Sequence, residues 1–152
     1  MRWIDGRDGT YGNGLAWDLG HTAFLVAFLL FGVLAVGLRS VRPNALATAA
    51  VVATLLGVAA FEWVIIGDLF PAFDDAVPVP DPVTLAGPLM FQVGLLTLLV
   101  RLATTRPRRV PIWTPMLLLV GFVLLAVNLD LLPVAAILIL AGLVPLATLP
   151  RQ

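Results

Sequence analysis

The stretch "VPIWTPMLLLVGFVLLAVNLDLLPVAAILILAGLVPLATL", Val110–Leu149, decides how this chain folds. As one helix it would extend about 60 Å, roughly twice the ~30 Å hydrocarbon core of a bilayer. It must therefore turn back or break. Its only strongly polar side chains are Asn128 and Asp130, in "VNLDLLP", and Pro133 stands where a new helix can open. Two apolar helices are expected, near 110–128 and 131–149, joined by a tight hairpin.

Three further apolar runs lie toward the N-terminus. "PVTLAGPLMFQVGLLTLLV" predicts a span near 82–101, with Asp81 as its N-cap, Pro82 at the first helical position and Arg101 at its end. "ALATAAVVATLLGVAAFEWVII" predicts a span near 45–66, capped by Asn44 and stopped by Gly67. "HTAFLVAFLLFGVLAVGL" predicts the first span, near 20–38, closed by Arg39 and Arg42. The fold class expected is all-α: a polytopic integral membrane helix bundle of five transmembrane helices, forming a single transmembrane domain over 1–152. The alternative is four spans plus a re-entrant C-terminal hairpin.

Composition agrees. Of 152 residues, 61% are hydrophobic and 12% charged, against roughly 45–50% and 25% in soluble domains. A soluble chain of this size could not hide that much apolar surface. Net charge is zero, which gives no support to a nucleic-acid partner. Without cysteine there are no disulfides, thiol catalysis or Cys-ligated metal sites. The opening "MRWIDGRDGTYGNG" lacks the apolar core of a secretory signal, so residues 1–19 are expected to remain as a polar extracytoplasmic segment.

Five spans place the loops alternately on two sides. One side collects Arg39, Arg42, Arg101, Arg106, Arg108, Arg109 and Arg151, with no carboxylate. The other collects all nine acids (Asp5, Asp8, Asp18, Glu62, Asp68, Asp74, Asp75, Asp81 and Asp130) with Arg2 and Arg7. Arg-rich short loops stay cytoplasmic, so a multi-pass protein of the cell membrane is expected, N-terminus extracytoplasmic and C-terminus cytoplasmic. Trp17, Trp63 and Trp113 fall near span ends, as interfacial aromatics do.

Glu62 interrupts a hydrophobic run, yet it lies about 27 Å past Asn44 along a helix, close to the outer boundary. The plainer reading is an outer-interface carboxylate, because the cost of burying charge falls steeply away from the bilayer centre. The sharper one is a site shared by Asp18, His21, Glu62 and Asp68. All four belong at the outer level, and Asp18 and His21 are spaced to share a helix face. A carboxylate–imidazole group there could relay protons or ligate a divalent metal, although the spacing is no metal motif. Elsewhere, Gln92 falls near mid-membrane and should face another helix, as a helix–helix contact in preference to a substrate contact. Pro88 one turn earlier can free a carbonyl. Ala45, Ala49, Ala53 and Gly57 form a small-residue stripe at i+4 spacing, expected as a packing face. The acidic, proline-rich segment from Gly67 to Pro82 should lie on the membrane surface with Phe70 and Phe73 dipping inward. The "RPRR" run, Arg106–Arg109, fits contact with anionic headgroups.

No nucleophilic triad, phosphate-binding Gly loop, HExxH or haem-type His pair is present, and no cofactor is implied. The stretch "GPLMFQVGLLTLLV", Gly87–Val100, resembles a helix in small membrane subunits of multisubunit cation/proton antiporters; it carries over no functional residue. In length and span number the chain is also similar to tryptophan-rich sensory proteins of the translocator type, without their Trp-rich stretches. Two functions are expected in order. One is a non-catalytic accessory, assembly or scaffold subunit whose partners are lipid and other membrane subunits, or a second copy of itself. The other is a small proton- or cation-coupled transporter or channel. An enzyme using His21 and Glu62 would be sparsely equipped.

Overall fold

The computed structural model describes residues 14–148. Arg2, Asp5, Arg7 and Asp8 of the N-terminal segment, and Leu149 and Arg151 at the other end, lie outside the described residues. The described chain is all-helical: α1 (Leu15–Val41), α2 (Ala45–Leu69), the short α3 (Pro71–Ala76), α4 (Asp81–Thr104), α5 (Trp113–Val127) and α6 (Leu132–Leu143), with 3-10 turns on both sides of α6. Four helical stretches are long and apolar enough to cross a membrane: α1, α2, α4 and the 19 residues Leu129–Ala147 that contain α6. The fifth apolar helix, α5, has 15 residues, about 22 Å, which is shorter than a ~30 Å core. The molecule is thus a helical membrane bundle of four long apolar helices and one shorter one.

The expected break falls where the polar residues stand. Asn128 ends α5, its side chain accepts a hydrogen bond from the Asp130 N–H at 2.9 Å, and Pro133 occupies the first turn of α6. Asn44 caps α2 through a 2.7 Å bond from the Ala47 N–H. Several boundaries differ from expectation: α1 begins at Leu15, ahead of 20, so that Asp18 falls in its first turn, and α5 begins at Trp113, behind 110. Gly67 does not stop α2, which continues to Leu69. A Cβ at Gly67 would come within 3.2 Å of the Asp74 carboxylate, so the glycine serves the close approach of α3 and leaves the helix intact. Asp81 lies inside α4, with Pro80 in the capping position. The segment after α2 is partly helical as α3, and Phe70 and Phe73 are 61% and 37% exposed on it.

Helices α2 and α4 form the antiparallel centre. Ala60 faces Gly87, Gly57 lies beneath the backbone of Phe91, and Gly94 lies beneath Ala50 and Thr54. A Cβ built on Gly57 would stand 2.4 Å from Phe91 N, and one on Gly94 2.5 Å from the Ala50 carbonyl oxygen. Glycine is what lets these backbones meet. The intrachain packing face of α2 therefore runs through Ala47, Ala50, Val51, Thr54, Gly57 and Val58. Of the expected stripe only Gly57 is buried there; Ala53 is half-buried, and Ala45 and Ala49 point outward.

Five phenylalanines close the middle of the bundle. Phe91 of α4, 2% exposed, meets Phe28 and Phe31 of α1, Phe61 of α2 and Phe122 of α5 at centroid distances of 5.2, 5.5, 5.7 and 5.4 Å, each edge-on. Phe28 stacks on Phe61 at 4.0 Å. Edge-to-face pairs contribute about 0.5–1.5 kcal/mol beyond burial, so this cluster joins four helices at one point. Helix α1 packs along α2, while α5 and α6 form a hairpin that joins the centre through α4.

The up-and-down order leaves the bundle with two unlike ends. Asp18, Asp68, Asp74, Asp75, Asp81 and Asp130 gather at one end, where α1, α4 and the 3-10 turn before α6 begin and α2 finishes. Arg39, Arg42, Arg101, Arg106, Arg108 and Arg109 gather at the other.

Candidate functional site at the acidic end

The first turns of α1 meet the last turn of α2 through three side chains. His21 and Trp17 are four residues apart and share a helix face, so their rings lie 4.0 Å centroid to centroid. The His21 Nδ1 is 3.0 Å from the Trp17 carbonyl oxygen, and its Nε2 is 3.2 Å from Oδ2 of Asp68. The Trp17 indole N–H donates to the Asp68 carbonyl at 3.2 Å. That carbonyl is among the last four of α2, which have no partner inside the helix.

Both ring nitrogens thus face oxygen atoms: a neutral imidazole donates to one of them, according to its tautomer, and an imidazolium donates to both. Asp68 also stands one residue from the C-terminus of α2, the negative end of the helix dipole, where a neighbouring cation is favourable.

The four-residue convergence does not form. His21 and Asp68 meet; Asp18 is exposed and makes no side-chain hydrogen bond or ion pair among the described residues. Glu62 lies six residues before Asp68 in the sequence, half-buried. Its Oε1 is buried without a hydrogen-bond partner among the described residues. Among the described residues no three His, Asp or Glu side chains come together as a metal site. The imidazole meets Trp17 at i−4 rather than Asp18 at i−3.

The other singled-out residues are placed as follows. Gln92 is half-buried beside Phe91 and makes no hydrogen bond among the described residues. Pro88 lies inside α4, which continues through it. Trp63 donates its indole N–H to the Val77 carbonyl at 3.0 Å and so secures the exit of α3 against α2. The buried Thr54 hydroxyl donates to the Ala50 carbonyl one turn earlier, at 2.8 Å. The Thr114 hydroxyl, at the start of α5, is buried without a partner among the described residues.

These features define a class, the multi-pass helical membrane protein, with one polar helix junction at its acidic end and a ring-packed interior. No protein-family model, curated protein or solved structure matches the chain.

Proposed function

We propose that the protein is a non-catalytic accessory, assembly or scaffold subunit of a membrane complex. It resides in the cell membrane with the arginine end cytoplasmic and the N-terminus outside, since short Arg-rich loops are retained on the cytoplasmic side. The observation that carries this reading is the Phe91-centred cluster. A conducting protein needs polar groups or space through its middle; here four helices fill that level with aromatic rings, and glycine brings α2 and α4 into backbone contact. Outward surfaces fit contact with other subunits or lipid. Ala45 and Ala49 give α2 a small-residue flank, and an apolar groove between α1 and α2 is lined by Leu29, Gly32, Val33, Val36, Leu55 and Val58. Purification from native membranes in mild detergent should yield stoichiometric companion chains or a defined homo-oligomer. A homogeneous monomer would sink the proposal.

A proton- or cation-coupled transporter is the second reading, favoured by the His21–Asp68 pair and by the buried Glu62 oxygen, which has no hydrogen-bond partner among the described residues. Flux into proteoliposomes should then fall in Glu62→Gln and His21→Ala. Equal flux in wild type and both variants removes this reading and leaves the first standing.

A further inference from the structure

The arginine end holds a built cationic surface. Arg39 stands in the last turn of α1, Arg42 in the α1–α2 connection, Arg101 in the last turn of α4, and Arg106, Arg108 and Arg109 in the α4–α5 loop. Every described carboxylate belongs to the opposite half of the bundle, and none of these six arginines forms an ion pair among the described residues. Like charges at this density repel unless something anionic joins them.

The two loops are held together in spite of that repulsion. The Arg42 Nη2 donates to the carbonyls of Arg106 at 2.7 Å and Pro107 at 3.2 Å. The Arg109 N–H donates to the Leu102 carbonyl at 2.9 Å, folding the loop back over the end of α4. Arg39 Nε donates to the Thr48 hydroxyl at 3.0 Å. The side chains of Arg101, Arg106, Arg108 and Arg109 make no hydrogen bond among the described residues, so their donor forks are available to an oxyanion. Beside them Ile112 and Trp113 are 57% and 44% exposed, an apolar shelf one step toward the membrane interior.

We infer that this end is a binding site for an anionic phospholipid. The phosphate lies between the α1–α2 connection and the α4–α5 loop, and the acyl chains run along Ile112 and Trp113. A free phosphate would satisfy the guanidinium groups alone; a phospholipid satisfies the apolar shelf as well, and it is already present at the level where these membrane helices end. The inference is independent of the subunit role proposed above.

The test is the melting temperature of the purified full chain in dodecyl maltoside, titrated separately with dioleoylphosphatidylglycerol, dioleoylphosphatidylcholine and inorganic phosphate. Compared with wild type are a triple variant, Arg106→Gln/Arg108→Gln/Arg109→Gln, and its Lys counterpart. None of these three side chains bonds to the fold, so the variants should fold. Comparing the lipid-dependent increments removes any change in basal stability. Phosphatidylglycerol should raise the midpoint by mass action where phosphatidylcholine and phosphate do not. The Gln variant should need roughly a hundredfold more lipid, about fivefold for each of three charges, and the Lys variant should respond nearly as wild type. Equal response to phosphatidylcholine, an unshifted Gln titration, or a full response to inorganic phosphate overturns the inference.

Discussion

Both ring nitrogens of His21 face oxygen atoms, at 3.0 and 3.2 Å, one on its own helix and one on the last turn of α2. Because Asp68 is 41% exposed and His21 18%, the pair is worth little by itself, on the order of 0.5–1 kcal/mol. Its contribution is to tie the start of α1 to the end of α2. His21→Gln and Asp68→Asn should each lower the melting temperature in detergent by a few degrees, and the double variant by less than the sum of the two. Strict additivity in that cycle would mean the two side chains do not interact. Sequence placed His21 and Asp68 at one level because both sit at span ends, and that much was legible. The local neighbour was not. Helical side chains lean toward the N-terminus and over the preceding turn, where Trp17 and Asp18 both stand. Which of them a ring meets is settled by the side on which α2 docks.

At the scale of elements, the α2–α4 crossing shows what spacing alone conveys and what it does not. A residue repeated every four positions drifts by roughly 40° per step around a helix, so Ala45, Ala49, Ala53 and Gly57 wind away from any straight neighbour. A nearly antiparallel partner instead tracks alternating steps of four and three, as Ala50, Thr54 and Gly57 do against Gly94 and Phe91. The stripe therefore met its partner only at Gly57. Gly57→Ala and Gly94→Ala would each drive a methyl into backbone atoms of the facing helix and should destabilise by about 1–3 kcal/mol or more. Gly37→Ala is the control. Nothing lies within 4 Å of a Cβ there, and the higher helix propensity of alanine should make it neutral or stabilising by up to about 1 kcal/mol. Thermal unfolding in one detergent compares all three, and a Gly57→Ala protein as stable as Gly37→Ala would refute the close crossing. Helix ends were more legible than helix faces: Asn44 and Asn128 carry their own capping chemistry, whereas Gly67 continues a helix because α3 packs over it.

For the whole molecule, the phenylalanine cluster was illegible in the chain because its five rings come from four separate apolar runs, and nothing in an apolar run marks which residue faces inward. Charge was the opposite case, since the sorting of acids and arginines survives any rotation of the helices. Among the described residues the bundle carries the aspartates at one end and the arginines at the other, and a bilayer retains Arg-rich short loops on the cytoplasmic side. The chain has no cysteine, so Asp74→Cys and Arg108→Cys are each single-thiol proteins and each label reports one position. Asp74 is exposed on α3 and Arg108 is exposed in the α4–α5 loop. A membrane-impermeant maleimide added to intact cells should label Asp74→Cys, and should reach Arg108→Cys only after the membrane is permeabilised. Labelling of both from outside would place the two ends in one compartment, which a bundle crossing the bilayer between them cannot do.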